Sequence, residues 1–248
     1  METKLTTIQP QQQKQENILC FGTIKRLEHF RGFGFIKADS GDDVYFRYKP
    51  VFEKNLKEND FVVFLKIKNK HTGKEHACSI MRAYHSKDGF VITDRQDSHV
   101  HDNLTAKLPE IVGELTCNNQ KTIVQEICFP YIIGKTKCVE ITNSDKIVYA
   151  RRIGRKGSTK FATNRICQPS DRVSIVIGKN RNHYEILTCY VGAKSEVEPF
   201  DGKATDDSFL FWTNHALVFG SEPIDQTTVS IDCPWPKMPL KNFYLGNF

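Results

Sequence analysis

The chain has 248 residues and a formal net charge of +6. This length allows one large domain or two small ones, and the mildly basic charge permits an anionic partner without requiring one. The eight cysteines include no C-x-x-C pair, so the spacing typical of structural zinc is missing, and we expect neither a metal nor a cofactor. The sequence shows no signal peptide and no bilayer-spanning apolar run, so we expect a reduced, cytoplasmic protein without a membrane partner.

Changes in composition predict five consecutive segments. Residues 1–17 are polar and Gln-rich, as in a disordered tail. Residues 18–84 carry short β-like runs separated by the turn-forming stretches DSGDD and HTGKE, which predicts a small five-stranded antiparallel barrel. Residues 85–107 are polar and broken, as in a linker, and residues 108–220 form a second β-rich, α+β region. Residues 221–248 contain several prolines and aromatic residues and are expected to form an arm packed on the surface.

The stretch RGFGFI, residues 31–36, places two phenylalanines two positions apart. Side chains two apart in a strand point to the same face, so Phe33 and Phe35 share a face with Arg31. An isolated Phe-x-Phe pair in a strand belongs more often to a core than to a binding surface. The neighbouring strand is needed to decide between these two interpretations.

The next β-like run, DVYFRY, also has two faces. Val44 and Phe46 make a core pair, which leaves Tyr45 and Arg47 outside, beside the two phenylalanines, if the strands pair. Lys25 from the first strand adds a cation to the same sheet. Such an aromatic surface costs solubility unless it has a use, and unpaired bases stack on aromatic faces while cations contact the phosphates. The pattern therefore favours a surface that binds single-stranded nucleic acid.

The run GTIKRLEHFRGFGFIKADSGDDVYFRY resembles a cold-shock domain, the bacterial and Y-box version of the oligonucleotide-binding barrel. RGFGFI is similar to the first ribonucleoprotein motif of that family and VYFRY to the second. The resemblance covers residues 18–84 and implies a five-stranded oligonucleotide-binding barrel. The side chains that it places on the single-strand-binding face, together with Arg31 from the strand alternation, are Lys25, Phe33, Phe35, Tyr45, Arg47 and Tyr48.

The chain departs from the family pattern at two places. Arg26, Leu27 and Glu28 stand where the family usually has a tryptophan followed by Phe-Asn, and Arg47 replaces the usual histidine of the second motif. Losing an indole removes one stacking platform, whereas Arg47 can stack and also carries a fixed charge. We therefore expect binding with a weaker base preference and a stronger dependence on salt.

The second region contains a basic stretch, residues 146–165, with seven cations and no acidic residue. Glycines within it allow a turn between IVYARRI and TKFATNR, which predicts a β-hairpin. The tip is a candidate phosphate grip because guanidinium groups, hydroxyls and backbone amides come together there. The alternative is a solvated basic hairpin without a site, which the acidic stretch 195–207 favours somewhat. The residues predicted at the tip are Arg155, Lys156, Ser158 and Thr159.

Metal-independent RNA cleavage is one chemistry that this region could support, since it needs only a general base and cations that stabilise the phosphorane. His215 is the candidate base, Arg152 and Arg155 are the candidate stabilisers, and Thr188 is a candidate orienting hydroxyl. The alternative for His215 is a packed core histidine. Residues 110–220 are β-rich and contain a basic strand and the late strand YEILTCY. On these features the region also resembles the barnase and RelE-like ribonuclease toxins, which share fold more than sequence.

Two functions of different class follow. In the first, the barrel binds single-stranded nucleic acid, with RNA favoured, and the second domain is an endoribonuclease of a toxin or antiphage effector. In the second, the chain is a non-enzymatic RNA- or DNA-binding accessory protein of the cold-shock or RNA-chaperone type. Its second domain then adds a basic surface or docks a protein partner. The second domain is expected to contain a helix near Ser208–Phe219 in either case.

Overall fold

The computed structural model describes residues 18–48, 56–69, 72–94 and 99–236. The predicted tail, 1–17, and the end of the predicted arm, 237–248, lie outside the described residues. The described chain is mostly β and forms two compact units. The first unit ends its main part at Tyr84 and also includes Thr93 and Asp94; the other described residues from His85 onward form the second unit.

The first unit is built from five strands, which follow the β-like runs of the sequence. They are β1 (Ile18–Glu28), β2 (Phe33–Ala38), β3 (Asp43–Arg47), β4 (Phe61–Lys68) and β5 (Glu75–His85). The strands pair antiparallel in the order β3-β2-β1-β4-β5. A parallel bridge between Phe46 and Ala77 joins β3 to β5 and closes the sheet. The predicted five-stranded barrel is therefore confirmed.

Alternate side chains of these strands fill the barrel, because successive residues of a strand point to opposite faces. Ile36, Phe46 and Phe64 are fully buried in its core. Gly34 lies opposite Phe46, and a Cβ at this glycine would lie 2.6 Å from the Phe46 ring and 2.6 Å from the Arg26 carbonyl oxygen. Only glycine leaves room there for the phenylalanine ring that occupies the centre of the barrel.

The segment predicted as a linker, residues 85–107, contains ordered elements instead. These are β6 (Val91–Thr93), β7 (His99–Val100) and a 3-10 helix (Asp102–Lys107), which leads into α1 (Leu108–Gly113). Ile92 and Leu104 are fully buried. The linker prediction is corrected here because a polar composition concealed single apolar residues that pack in a core.

The second unit continues with further strands and one longer helix. In chain order they are β8 (Thr122–Cys128), β9 (Gly134–Thr136), β10 (Cys138–Glu140), β11 (Ile147–Arg151), β12 (Ser158–Ala162), β13 (Gln168–Ser170), β14 (Arg172–Asn180), β15 (His183–Val191), α2 (Asp206–Asn214) and β16 (His215–Val218). Strands β15, β14 and β8 form an antiparallel ladder, and β7 joins β15 in parallel. A second sheet has the order β10-β16-β12-β11, and β13 pairs with β9.

The predicted helix near Ser208–Phe219 is shorter in the structure and is followed by a strand. A capping box between Thr205 and Ser208 starts α2, which ends at Asn214. The next residues form β16, which pairs with β10 and β12 and buries Leu217. The apolar run after the helix is therefore a paired strand. Periodicity alone does not distinguish a short apolar strand from the continuation of a helix, so the sequence predicted one longer helix.

The basic stretch forms the predicted hairpin, since β11 and β12 pair antiparallel. The described part of the C-terminal arm runs beside the hairpin. An antiparallel β-bridge joins Tyr149 to Ser230, and Trp235 Nε1 donates a hydrogen bond to the Ser158 carbonyl oxygen at 2.8 Å. Within the described ranges, none of the helices has both the length and the apolar composition that crossing a bilayer requires.

Candidate nucleic-acid interface

Three aromatic rings form a continuous surface on the outside of the β2–β3 ladder, and we call it the aromatic face. It consists of Phe33, Phe35 and Tyr45, each of which is half-buried. The ring centroids of Phe33 and Phe35 are 6.1 Å apart, and each lies 5.8 Å from that of Tyr45. These separations are those of packed aromatic pairs, so the rings support one another while their outer surfaces remain open to solvent.

The register of the ladder puts this face opposite the core. Phe35 lies across from Tyr45, whereas Gly34 lies across from Phe46. Val44 and Phe46 are buried in the barrel core, as the alternation of DVYFRY predicts. One hairpin therefore contributes rings to the core from one set of positions and rings to the surface from the other set.

Exposed cations flank the aromatic face. Arg31 and Arg47 are both exposed, and Arg47 Nε donates a hydrogen bond to the Tyr45 hydroxyl at 3.1 Å. Lys25 Nζ lies 2.5 Å from Asp43 Oδ2. The hydrogen bond from Lys25 keeps the pKa of the Asp43 carboxyl below its usual value, so this carboxylate offsets part of the lysine charge. Two arginines are consequently the stronger candidates for phosphate contacts.

Tyr48 requires a correction, because the structure places it in the core and not on the aromatic face. Its side chain is 7% exposed, and its ring packs 5.8 Å from that of Phe46. Its hydroxyl is hydrogen-bonded to His29 Nδ1 at 3.0 Å. The strand alternation itself groups Tyr48 with Val44 and Phe46, whereas the family resemblance had grouped it with the surface residues.

Sequence reasoning missed Phe30, which lies in the turn between β1 and β2 and is 105% exposed. The signal available in the sequence was a single phenylalanine among polar residues in the turn, just before the RGFGFI stretch. The alternation of side chains along strands gives no information on such a residue, because it belongs to no strand.

The second unit contains a cleft of about 630 Å³ that brings together three of the four predicted catalytic residues. Arg152, Arg155 and Thr188 all line it. His215 lines a different, smaller cleft of about 240 Å³, although three other residues border both. Its ring stacks on Phe211 with 4.0 Å between centroids, and its Nδ1 donates to the Phe211 carbonyl oxygen at 2.9 Å. The structure therefore does not assemble the predicted base with the predicted phosphate ligands.

The charges around the larger cleft balance one another. Arg152 pairs with Glu198 and also donates from Nε to the Thr159 hydroxyl at 3.1 Å. Lys137 pairs with Glu222 at 2.8 Å. An entering phosphate would meet these carboxylates as well as the cations, which lowers its attraction to the cleft. The charged side chains that line the cleft are Lys137, Arg152, Arg155, Glu196, Glu198, Asp201 and Glu222.

Three other cations of the basic stretch also have structural partners. Arg151 pairs with Asp225 at 2.6 Å, and Arg165 pairs with Asp145 at 2.7 Å. The hydrogen bond from Arg165 lowers the pKa of Asp145 to about 2. Lys160 is buried and donates to the last carbonyl oxygens of α2, at 2.8 and 2.9 Å. Four of the seven cations, including Arg152, are thus used to hold the second unit together.

A pair of matched substitutions separates structural arginines from free ones. Arg152→Met is expected to lower the stability of the second unit by about 1.5–3 kcal/mol, the contribution typical of hydrogen bonds to charged groups. Arg155→Met, at an exposed position three residues later, is expected to change stability by less than about 0.5 kcal/mol. Chemical denaturation of the full chain measures both. A stability of Arg152→Met equal to that of the unsubstituted chain would show that Arg152 has no structural role.

The comparisons with known proteins leave the family open. No family model matches the sequence, and no curated protein matches it. Solved structures that match include the one titled "drosophila Unr CSD456", with a TM-score of 0.24 and 15% sequence identity. The match covers 74% of this chain and 65% of the other chain, so it spans less than two thirds of the other chain's length.

Proposed function

We propose that the first unit binds single-stranded nucleic acid, with RNA favoured over DNA, in the manner of a cold-shock domain. The observation that carries this proposal is the aromatic face itself. Three rings lie together outside a closed barrel whose core already contains Phe46 and Phe64. The RGFGFI and VYFRY motifs, which resemble those of cold-shock domains, supply these rings from the same two strands.

The energetics of stacking suit unpaired bases. Each base that stacks on an aromatic side chain gains about 1–3 kcal/mol, and every base has a ring face, so such binding tolerates many sequences. A duplex already stacks its bases on one another, so its base faces are not available to Phe33, Phe35 and Tyr45. Arg31 and Arg47 are exposed, and we propose that they contact the phosphates of the same strand.

The predicted endoribonuclease is not retained as a second candidate function. Arg152, Arg155 and Thr188 line one cleft, which favours a ribonuclease site. His215, however, lines the other cleft, and Arg152 is paired with Glu198. The toxin and antiphage roles rested on that activity and on the resemblance to ribonuclease toxins, and they are not retained either. The second unit is therefore proposed to act as an accessory domain of a non-enzymatic binding protein.

Binding of labelled oligonucleotides to the purified full chain tests the proposal. We expect single-stranded RNA and DNA to bind, RNA more tightly, and a duplex of the same sequence to bind at least about tenfold more weakly. Two lost stacks already remove about 2 kcal/mol or more, and about 1.4 kcal/mol corresponds to a tenfold change in affinity. Incubation of the RNA with the chain is expected to leave it intact. Equal affinity for single strand and duplex would refute recognition by stacking.

Salt dependence tests the role of Arg47. The logarithm of the binding constant should fall with the logarithm of salt concentration, and Arg47→Gln should flatten the slope by about 0.7, the value for one phosphate contact to a single strand. Asp43→Asn is the control, at the other end of β3 and on the same face as Arg47. It removes the carboxylate beside Lys25 and should raise affinity without flattening the slope. An unchanged slope for Arg47→Gln would mean that this arginine does not contact phosphate.

A further inference from the structure

The turn between β1 and β2 holds a phenylalanine ring wholly in water. Phe30 is 105% exposed, a larger fraction than any other large hydrophobic side chain of the described residues. Single exposed apolar residues are common on protein surfaces, so exposure alone assigns no role. The position of this ring and the rigidity of its turn supply the additional evidence.

The backbone of the turn is fixed by several hydrogen bonds. The amides of Arg31 and Gly32 donate to the Glu28 carbonyl oxygen at 3.1 and 2.9 Å. Gly32 adopts a positive φ of 64°, and its own carbonyl oxygen accepts from the Tyr48 amide at 3.0 Å. The Tyr48 hydroxyl is also bonded to His29 Nδ1. The exposed ring is therefore held by a turn that has internal hydrogen bonds and is also hydrogen-bonded to the residue that follows β3.

The turn leads directly into the aromatic face. Phe33, the first residue of β2, follows Phe30 by three residues, and three residues span at most about 11 Å. Exposed Arg31 lies between them in sequence. A single strand that stacks on Phe33 and continues towards this turn would meet a cation for its phosphate and then a further ring for its next base. A strand with unpaired bases fits this order of groups because it alternates phosphates and flat rings.

We propose that Phe30 is an additional stacking position that takes one unpaired nucleobase beyond those on the aromatic face. This inference rests on the proposed function of the first unit. Because the turn is already ordered, binding needs little further ordering of the backbone, which preserves the energy of the stack. Phe30 thereby lengthens the segment of single strand that the unit recognises.

The test compares the full chain with Phe30→Ala on single-stranded oligouridylates of increasing length. Short oligomers that occupy only the aromatic face should bind both proteins equally. Longer ones should bind Phe30→Ala about five- to a hundredfold more weakly, as expected for the loss of one base stack. Phe30→Trp should restore the affinity, and its indole fluorescence should change only with the longer oligomers. Ile153→Ala, which alters another exposed side chain, in the second unit, is the control and should change nothing.

The outcomes also separate this inference from the proposed function. Full affinity of Phe30→Ala at every length, together with weak binding of a Phe33→Ala/Phe35→Ala variant, would refute the additional position alone. Equal losses at short and long lengths would also overturn it, because Phe30 would then belong to the aromatic face. If neither variant lost affinity, the proposed function itself would fail.

Discussion

Replacing Phe33 and Phe35 together with alanine is expected to weaken single-strand binding by at least about tenfold. Each lost stack removes about 1–3 kcal/mol, and about 1.4 kcal/mol corresponds to a tenfold change in affinity. Both rings pack against Tyr45 and each other on the outside of the barrel, so the core remains filled when they are removed. Fluorescence anisotropy with a labelled single-stranded RNA measures the loss.

Thermal unfolding of the same variant is the necessary control. A variant that keeps its transition temperature and loses affinity supports the binding role of the two rings. Unchanged affinity in a stably folded variant would refute it, and an unfolded variant would assign Phe33 and Phe35 to the core instead.

The opposite face of the same hairpin should respond in the opposite way. Phe46→Ala is expected to lower the unfolding free energy of the barrel by about 3–5 kcal/mol, the cost typical of truncating a fully buried phenylalanine. The Phe46 ring occupies the space that a side chain at Gly34 would need, and Phe46 also bridges β3 to β5. Truncation of the ring therefore leaves a cavity where the barrel closes. Phe35→Ala, one position along on the partner strand, should cost much less because its ring is half-buried at the surface.

Hydrogen exchange of the backbone amides in β1–β5 measures these costs separately from those of the second unit. The amides of Phe46→Ala should exchange faster throughout the barrel, whereas those of Phe35→Ala should change near β2 and β3. Comparable acceleration in the two variants would mean that both rings support the core, and the division of the hairpin into two faces would be incorrect.

The barrel could be predicted from the sequence because its information is local. Residues two apart share a face, so RGFGFI and DVYFRY specify which rings are buried once one core pair, Val44 and Phe46, is identified. The same rule would have placed Tyr48 in the core, where the structure has it. The resemblance to a family outweighed the alternation at that residue and gave the wrong side.

The second unit was harder because its interactions join distant parts of the chain. Arg152 and its partner Glu198 are 46 residues apart, and Lys160 reaches the end of a helix more than 50 residues later. A run of cations shows charge in the sequence but not which cations are paired, and so the basic hairpin suggested a phosphate grip. His215 is a candidate base by residue type alone, and the sequence does not show that its ring stacks on Phe211 and lines a different cleft.

The most direct measurement of nucleic-acid binding by the aromatic face is a titration of the isotope-labelled chain with a single-stranded RNA, followed by nuclear magnetic resonance. We predict that the largest shifts fall on the amides and ring protons of Phe33, Phe35 and Tyr45 and on the turn that holds Phe30, with small shifts in the second unit. Shifts concentrated in the second unit, or the absence of shifts on these rings at saturating RNA, would contradict binding by the aromatic face.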